Sequence, residues 1–104
     1  VFDNRTLGMV RQWQTLFYGG RYSSTCLDGN KTDFVKVAEA FGAKGYRLDD
    51  DKDVRAIADE ALAQNGVTVV DCLIDRDEFV LPMIPPGKTM NDIITSLDKP
   101  NEEK

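Results

Sequence analysis

Residues 67–75, "VTVVDCLID", decide the fold class. They are rich in β-branched side chains and hydrophobic almost without interruption, the pattern of a strand covered on both faces inside a parallel sheet. Just upstream, Val54, Ile57, Ala58, Ala61 and Leu62 share one helical face, and Asn65-Gly66 stops that helix. Its start follows Asp49, Asp50 and Asp51, whose charges suit the positive end of a helix. Before them "KGYRLDD" (44–50) reads as a short strand. Earlier still, "TDFVKVAEAFGAKG" (32–45) sets Phe34, Val37, Ala38 and Phe41 on one stripe, with Thr32 or Asp33 able to cap the helix start and Gly42 to close it.

The first 23 residues, "VFDNRTLGMVRQWQTLFYGGRYS", read as the end of a buried strand at Val1-Phe2 followed by a helix from Thr6 to about Tyr18. Met9, Val10, Trp13, Leu16 and Phe17 recur at three- and four-residue spacing, and Gly19-Gly20 ends the run. Residues 21–31, "RYSSTCLDGNK", are polar and read as an exposed loop. At the other end, "DEFVLPMIPPGK" (77–88) is extended and proline-rich. "TMNDIITSL" (89–97) reads as a short helix with Met90, Ile93, Ile94 and Leu97 inward, and residues 98–104 as a fraying tail.

The order strand, helix, helix, strand, helix, strand, helix implies an α/β fold with a partial parallel sheet, flanking helices and right-handed crossovers. One domain is all that 104 residues allow. A hydrophobic fraction of 41% with 30% charged residues argues against wholesale disorder. Three strands, the first a stub, make a poor sheet. With no methionine at the start, the expectation is the C-terminal piece of something larger.

Several function classes drop out. The net charge of −5 and the dispersed basic residues give nucleic acid no electrostatic footprint. No apolar run approaches the roughly 18 residues of a membrane span, and no signal peptide is visible, so the expectation is a cytoplasmic protein without membrane partners. The chain has two cysteines, Cys26 and Cys72, and no histidine. A Cys/His zinc site and a Ser-His-Asp site are both excluded, and structural thiols are the plain reading.

Chemistry must then come from a metal, a cofactor or another chain. Asn4 stands just past a strand end and before a helix, where open α/β sheets hold phosphates. Gly8 would let a bulky group approach the backbone. On the residues alone a capped core helix explains the same pattern, and core packing explains Met9 and Trp13.

Three stretches carry a resemblance: "DNRTLGMVRQWQTLFYGGRYS" (3–23), "DFVKVAEAFGAKGYRL" (33–48) and "VLPMIPPGKTMNDII" (80–94). In order and spacing they resemble the end of the catalytic subunits of acetolactate synthases, over nearly the whole chain. The resemblance implies that residues 1–97 are the C-terminal portion of a thiamine-diphosphate-binding domain, with 80–97 a lid over the active site or a tail packed on its surface. It implies decarboxylation of pyruvate and transfer of the two-carbon unit to a second 2-keto acid. The implied cofactors are thiamine diphosphate and Mg2+, with FAD bound outside this region.

By position, Asn4 matches the asparagine whose oxygen binds magnesium, and Thr6 the residue adding a backbone carbonyl, both hard donors suited to that ion. Asp3 stands where the family usually has another asparagine. Gly8, Met9 and Val10 match the helix start against the cofactor, and Met9 and Trp13 the substrate pocket. The family's Gly-Asp-Gly, its activating glutamate and its flavin site have no counterpart here, so the chain alone is expected to be inactive. Implied partners are the rest of the catalytic subunit, a homodimer or tetramer, and a regulatory small subunit. A related thiamine-diphosphate carboligase and a non-catalytic binding or self-association module remain the alternatives.

Overall fold

The computed structural model describes residues 1–29 and 32–97. The tail expected at 98–104 lies outside them. Three parallel strands, β1 (Phe2–Asp3), β2 (Lys44–Leu48) and β3 (Thr68–Leu73), form a sheet in the order β1-β3-β2. The stretch rich in β-branched residues is the central strand, as its hydrophobicity requires. β2 pairs with it from Lys44↔Thr68 to Leu48↔Cys72, and β1 through Phe2↔Cys72 and Asp3↔Leu73.

Helix α2 (Phe34–Ala40) lies between β1 and β2 in the chain, and α3 (Val54–Leu62) between β2 and β3. The two crossovers run in opposite directions along the sheet, so a common hand puts their helices on opposite faces. Side-chain alternation locates them. A Cβ at Gly45 would lie 2.8 Å from Val35 Cγ1 and 3.0 Å from the Val35 carbonyl oxygen, so α2 covers that face. Tyr46, on the other face, donates its hydroxyl to Glu60 Oε1 of α3 at 3.3 Å. Only glycine permits the α2 backbone to come so close to β2.

Local chemistry explains both helix starts. Asp33, not Thr32, caps α2: its Oδ1 accepts from the Val35 and Lys36 N–H groups. Arg47 Nη2 donates to that same carboxylate at 2.6 Å, and Arg47 Nε lies 3.6 Å from Asp71 Oδ2. Asp71 is 1% exposed in mid-sheet, and among the described residues neither of its oxygens accepts a hydrogen bond. The Arg47 charge is what faces it. Before α3, Asp50 accepts from Lys52 N–H and a 3-10 turn at Asp51–Asp53 leads in, as the acidic run suggested.

Several expectations fail for one reason. Among the described residues the only buried hydrophobic residue is Ala38, whereas Thr6, Arg11, Gln12, Thr25 and Asp71 are buried. The strand end expected to be buried is open, with Phe2 79% exposed. The α3 stripe is only half covered: the helix stops at Leu62, which is 85% exposed, short of Asn65-Gly66. In helix α1 (Gly8–Phe17) the apolar positions Met9, Val10, Trp13 and Phe17 face outward while Arg11 and Gln12 are buried. Periodicity located these helices correctly, but among the described residues little packs on their apolar faces.

The C-terminal helix is the clearest correction. Only Met90–Asp92 turns, as a 3-10 turn whose start is closed by a capping box between Thr89 and Asp92. Ile93 is already extended, and Ile94 exchanges backbone hydrogen bonds with Met83 at 2.9 and 2.8 Å. One turn is too short to offset the cost of helix nucleation, and pairing with Met83 takes the β-branched pair instead. Met90 and Ile93 are exposed.

Candidate functional site

At the carboxyl end of β1 the chain makes a tight series of polar turns. Asp3 Oδ1 accepts from the Arg5 N–H at 3.0 Å and Asp3 Oδ2 from Arg5 Nε at 3.1 Å. This pair holds Arg5 at φ +56°, a left-handed conformation that side chains rarely adopt. The Asp3 charge is therefore matched by Arg5 next to it. One step on, Asn4 Oδ1 accepts from the Thr6 N–H at 3.2 Å.

Thr6 is buried and pinned from the other side. Its hydroxyl donates to the Thr25 carbonyl at 2.8 Å, and it forms an antiparallel bridge with Cys26 through Leu7 N–H to Thr25 O and Leu27 N–H to Arg5 O. Such a bridge uses the neighbours' backbone groups, so Thr6's own N–H and C=O point away from Cys26, the N–H toward Asn4. Among the described residues nothing donates to that carbonyl. Within residues 21–31, where an exposed loop is expected, Thr25 is buried because it carries these bonds. Cys26 is exposed, with Sγ donating to Asp28 Oδ2, and is no core thiol. Arg76 grips Asp28 with two hydrogen bonds near 3 Å. The Asp28 carboxyl is held below its ordinary pKa first by Cys26 and then by Arg76.

Helix α1 starts immediately after this turn. Its cap position is Leu7, which offers no side-chain acceptor, and its first turn has no acidic residue. The N–H groups of Gly8, Met9 and Val10 find no acceptor among the described residues. An uncapped helix start carries about half a positive charge and binds anions. A Cβ at Gly8 would lie 2.8 Å from Asn4 Nδ2, so the space kept free by this glycine is filled by the Asn4 carboxamide.

Asn4, Thr6 and Gly8 are thus brought together around one helix start. Val10 and Trp13 lie further along α1, lining with Gln14, Tyr18 and Arg21 an open cavity of about 410 Å³. Trp13 is 42% exposed, and Met9 is half-exposed without lining that cavity. No group of three His, Cys, Asp or Glu among the described residues could hold a metal ion. Asn4 Oδ1 and the Thr6 carbonyl amount to two oxygen donors.

Residues 1–72 match the family model of the thiamine pyrophosphate enzyme C-terminal TPP binding domain. The chain belongs to that family. Curated relatives align with this TPP-binding domain over most of its length. A probable acetolactate synthase large subunit of Methanocaldococcus jannaschii is 45% identical over 90% of this chain and 16% of its own length. The acetolactate synthase isozyme 2 large subunit of Escherichia coli is 40% identical over 93% of this chain and 18% of its own. An acetolactate synthase of Mycobacterium bovis is 45% identical over 90% and 16%. The chain spans about a sixth of the length of these relatives. Among the described residues no helix is long and apolar enough to cross a membrane.

Four residues that shape this TPP-binding domain escaped the sequence reading: Arg5, Arg11, Gln12 and Thr25. Arg11 Nε donates to Asp77 Oδ1 at 2.8 Å, which raises the Arg11 pKa, and its guanidinium lies 3.8 Å over the Tyr22 ring. Thr25 donates to Gln14 Oε1 at 2.8 Å. Polar residues on the back of an amphipathic helix ordinarily face water. Only their distant partners show otherwise.

Proposed function

We propose that the chain is the C-terminal part of the thiamine-diphosphate domain of an acetolactate synthase catalytic subunit. That enzyme decarboxylates pyruvate and joins the two-carbon unit to a second 2-keto acid, at the start of branched-chain amino-acid synthesis. The observation that carries the reading is the uncapped start of α1, set directly after a strand end and beside the Asn4 and Thr6 oxygens. The likeness to acetolactate synthase large subunits supports it over most of the chain.

The donor set fits a magnesium diphosphate. Asn4 Oδ1 and the free Thr6 carbonyl would supply two hard ligands to Mg2+, and the N–H groups of Gly8, Met9 and Val10 would meet the diphosphate oxygens. Thiamine diphosphate, when bound, supplies the electron sink for decarboxylation. The chain's part is to hold and to exclude water. The Asx turn fixes Asn4 against the helix start, the Asp3–Arg5 pair keeps Asp3 from adding uncompensated charge, and Val10, Trp13 and Met9 give the substrate side an apolar wall. Residues 80–97 are in this reading the lid segment or a tail packed on the domain; they meet α1 at Gln12, and none of them lines the cavity of Val10 and Trp13.

The remaining ligands, the FAD site and the acid–base group would come from elsewhere in a cytoplasmic homodimer or tetramer that works with a regulatory small subunit. The full-length encoded protein, given pyruvate, thiamine diphosphate and Mg2+, should form acetolactate, and with 2-ketobutyrate the mixed product. The 104 residues alone should form none. Absence of product from the full-length protein at saturating cofactor would overturn the reading.

A further inference from the structure

The most completely satisfied buried side chain outside the cofactor turn belongs to Gln12, which is 1% exposed. Its Oε1 accepts from the Val80 N–H at 2.9 Å, and its Nε2 donates to the Val80 carbonyl at 2.9 Å and to Met83 Sδ at 3.1 Å. A carboxamide has two donors and two acceptor sites, so three of its four capacities are spent on one short segment far along the chain. It meets both backbone groups of Val80 as a neighbouring strand would. The adjacent Arg11–Asp77 pair is the second tie between α1 and this segment. Met83 in turn holds Ile94, so the hold on Met83 extends to residues 83–94.

We propose that Gln12 is a positioning residue: its carboxamide clamps the Val80–Met83 segment to α1 and thereby fixes the helix face on which Val10 and Trp13 line the open cavity. Trp13 is the next residue along the helix. If the clamp opens, α1 loses its main support from the C-terminal side and its apolar face loses a fixed position. The clamp stands on its own geometry, while its effect on substrate rests on the function proposed above.

The full-length encoded protein with Gln12→Glu tests the clamp by peptide-resolved hydrogen exchange. When ionised, the substituted carboxylate still accepts from Val80 N–H but turns a buried negative oxygen on the Val80 carbonyl, which opposes closure. When protonated, the same carboxyl group can both accept and donate, restoring the pair. Exchange over residues 77–84 should therefore run about tenfold faster than in the unaltered protein at pH 8. That ratio should fall toward one near pH 5, because burial at position 12 raises the carboxyl's pKa above its free value of about 4.3 and the acid form returns. The charged groups on the elements packed there, Arg11 on α1 and Arg76, Asp77 and Glu78 on the segment, are common to both proteins, so the ratio isolates position 12. Gln12→Met, similar in size but without the hydrogen bonds, should exchange faster at both pH values.

Exchange over β3 should stay unchanged throughout. An unchanged 77–84 peptide at pH 8, equal acceleration over β3, or a ratio independent of pH would each overturn the clamp. In the same Gln12→Glu protein the KM for the 2-keto acid should rise severalfold at pH 8, with the affinity for thiamine diphosphate and magnesium retained. If the unaltered protein makes no acetolactate, the function fails while the exchange result still decides the clamp.

Discussion

The sheet half of the molecule and the half that carries the site are built on different principles. In the first, β2, β3, α2 and α3 are held by a backbone ladder, by the bare backbone of Gly45 against Val35, and by a carboxylate cap. In the second, α1, the turn before it and the C-terminal segment are held by side chains grasping backbone far away. Thr6 holds Thr25, Gln14 holds Ser23 and Gln12 holds Val80. Backbone ladders make a rigid base. Polar grips leave an apolar helix face free for other surfaces.

The largest test strikes the base. Gly45→Val puts methyl groups into space already taken by Val35 Cγ1 and the Val35 backbone, which cannot yield as a flexible side chain could. A loss of about 3 kcal/mol, read by denaturant unfolding, is expected from overpacking of this kind. A change below about 0.5 kcal/mol would show that α2 is not seated on the sheet as described.

The next strikes the grips. Thr25→Val keeps shape and backbone but removes the hydroxyl donated to Gln14 Oε1. The expected cost is about 1–2 kcal/mol, with faster hydrogen exchange confined to α1 and residues 21–27. Equal acceleration in β3 would mean that the two halves unfold as one unit and that the contrast is false.

The smallest effect separates the halves by pH. Asp33 is held below its ordinary pKa by the Lys36 N–H first and by Arg47 as well. A depressed pKa means that the folded state binds its proton less readily than the unfolded chain. The stabilisation is complete above about pH 4 and is lost as the pH falls through the lower, folded-state value. Asp33→Asn should flatten that part of the acid-unfolding curve and leave neutral-pH behaviour of the α1 half untouched. An unaltered acid limb would remove Asp33 from the account.

The same contrast explains what was legible in the sequence. The base could be read because its signals are local: β-branched residues in 67–75, Asp33 before Phe34, and the acidic run before Val54. Helix α1 (Gly8–Phe17) could also be read, within expected bounds of Thr6 to about Tyr18, but not its orientation, because the partners of Arg11 and Gln12 lie near positions 77–83. Residues 89–97 have the apolar spacing of a helix, but the pairing of Ile94 with Met83 that limits it to one turn is invisible locally. The structure brings Asn4, Thr6 and Gly8 together at one helix start, as their order in the sequence suggests, while their roles toward a ligand belong to the proposal. That Gly8 makes room for Asn4, and that Asp3 is matched by Arg5, depends on turn geometry that sequence spacing does not fix.

The central claim is that the start of α1 holds a magnesium diphosphate through Asn4 and Thr6, and calorimetric titration tests it most directly. Full-length encoded protein and its Asn4→Ala variant would be titrated with thiamine diphosphate in saturating Mg2+ and again in EDTA. The account predicts magnesium-dependent binding that weakens at least tenfold in Asn4→Ala, with the fold intact by circular dichroism. Binding of equal strength in the two proteins, or binding indifferent to magnesium, would contradict it.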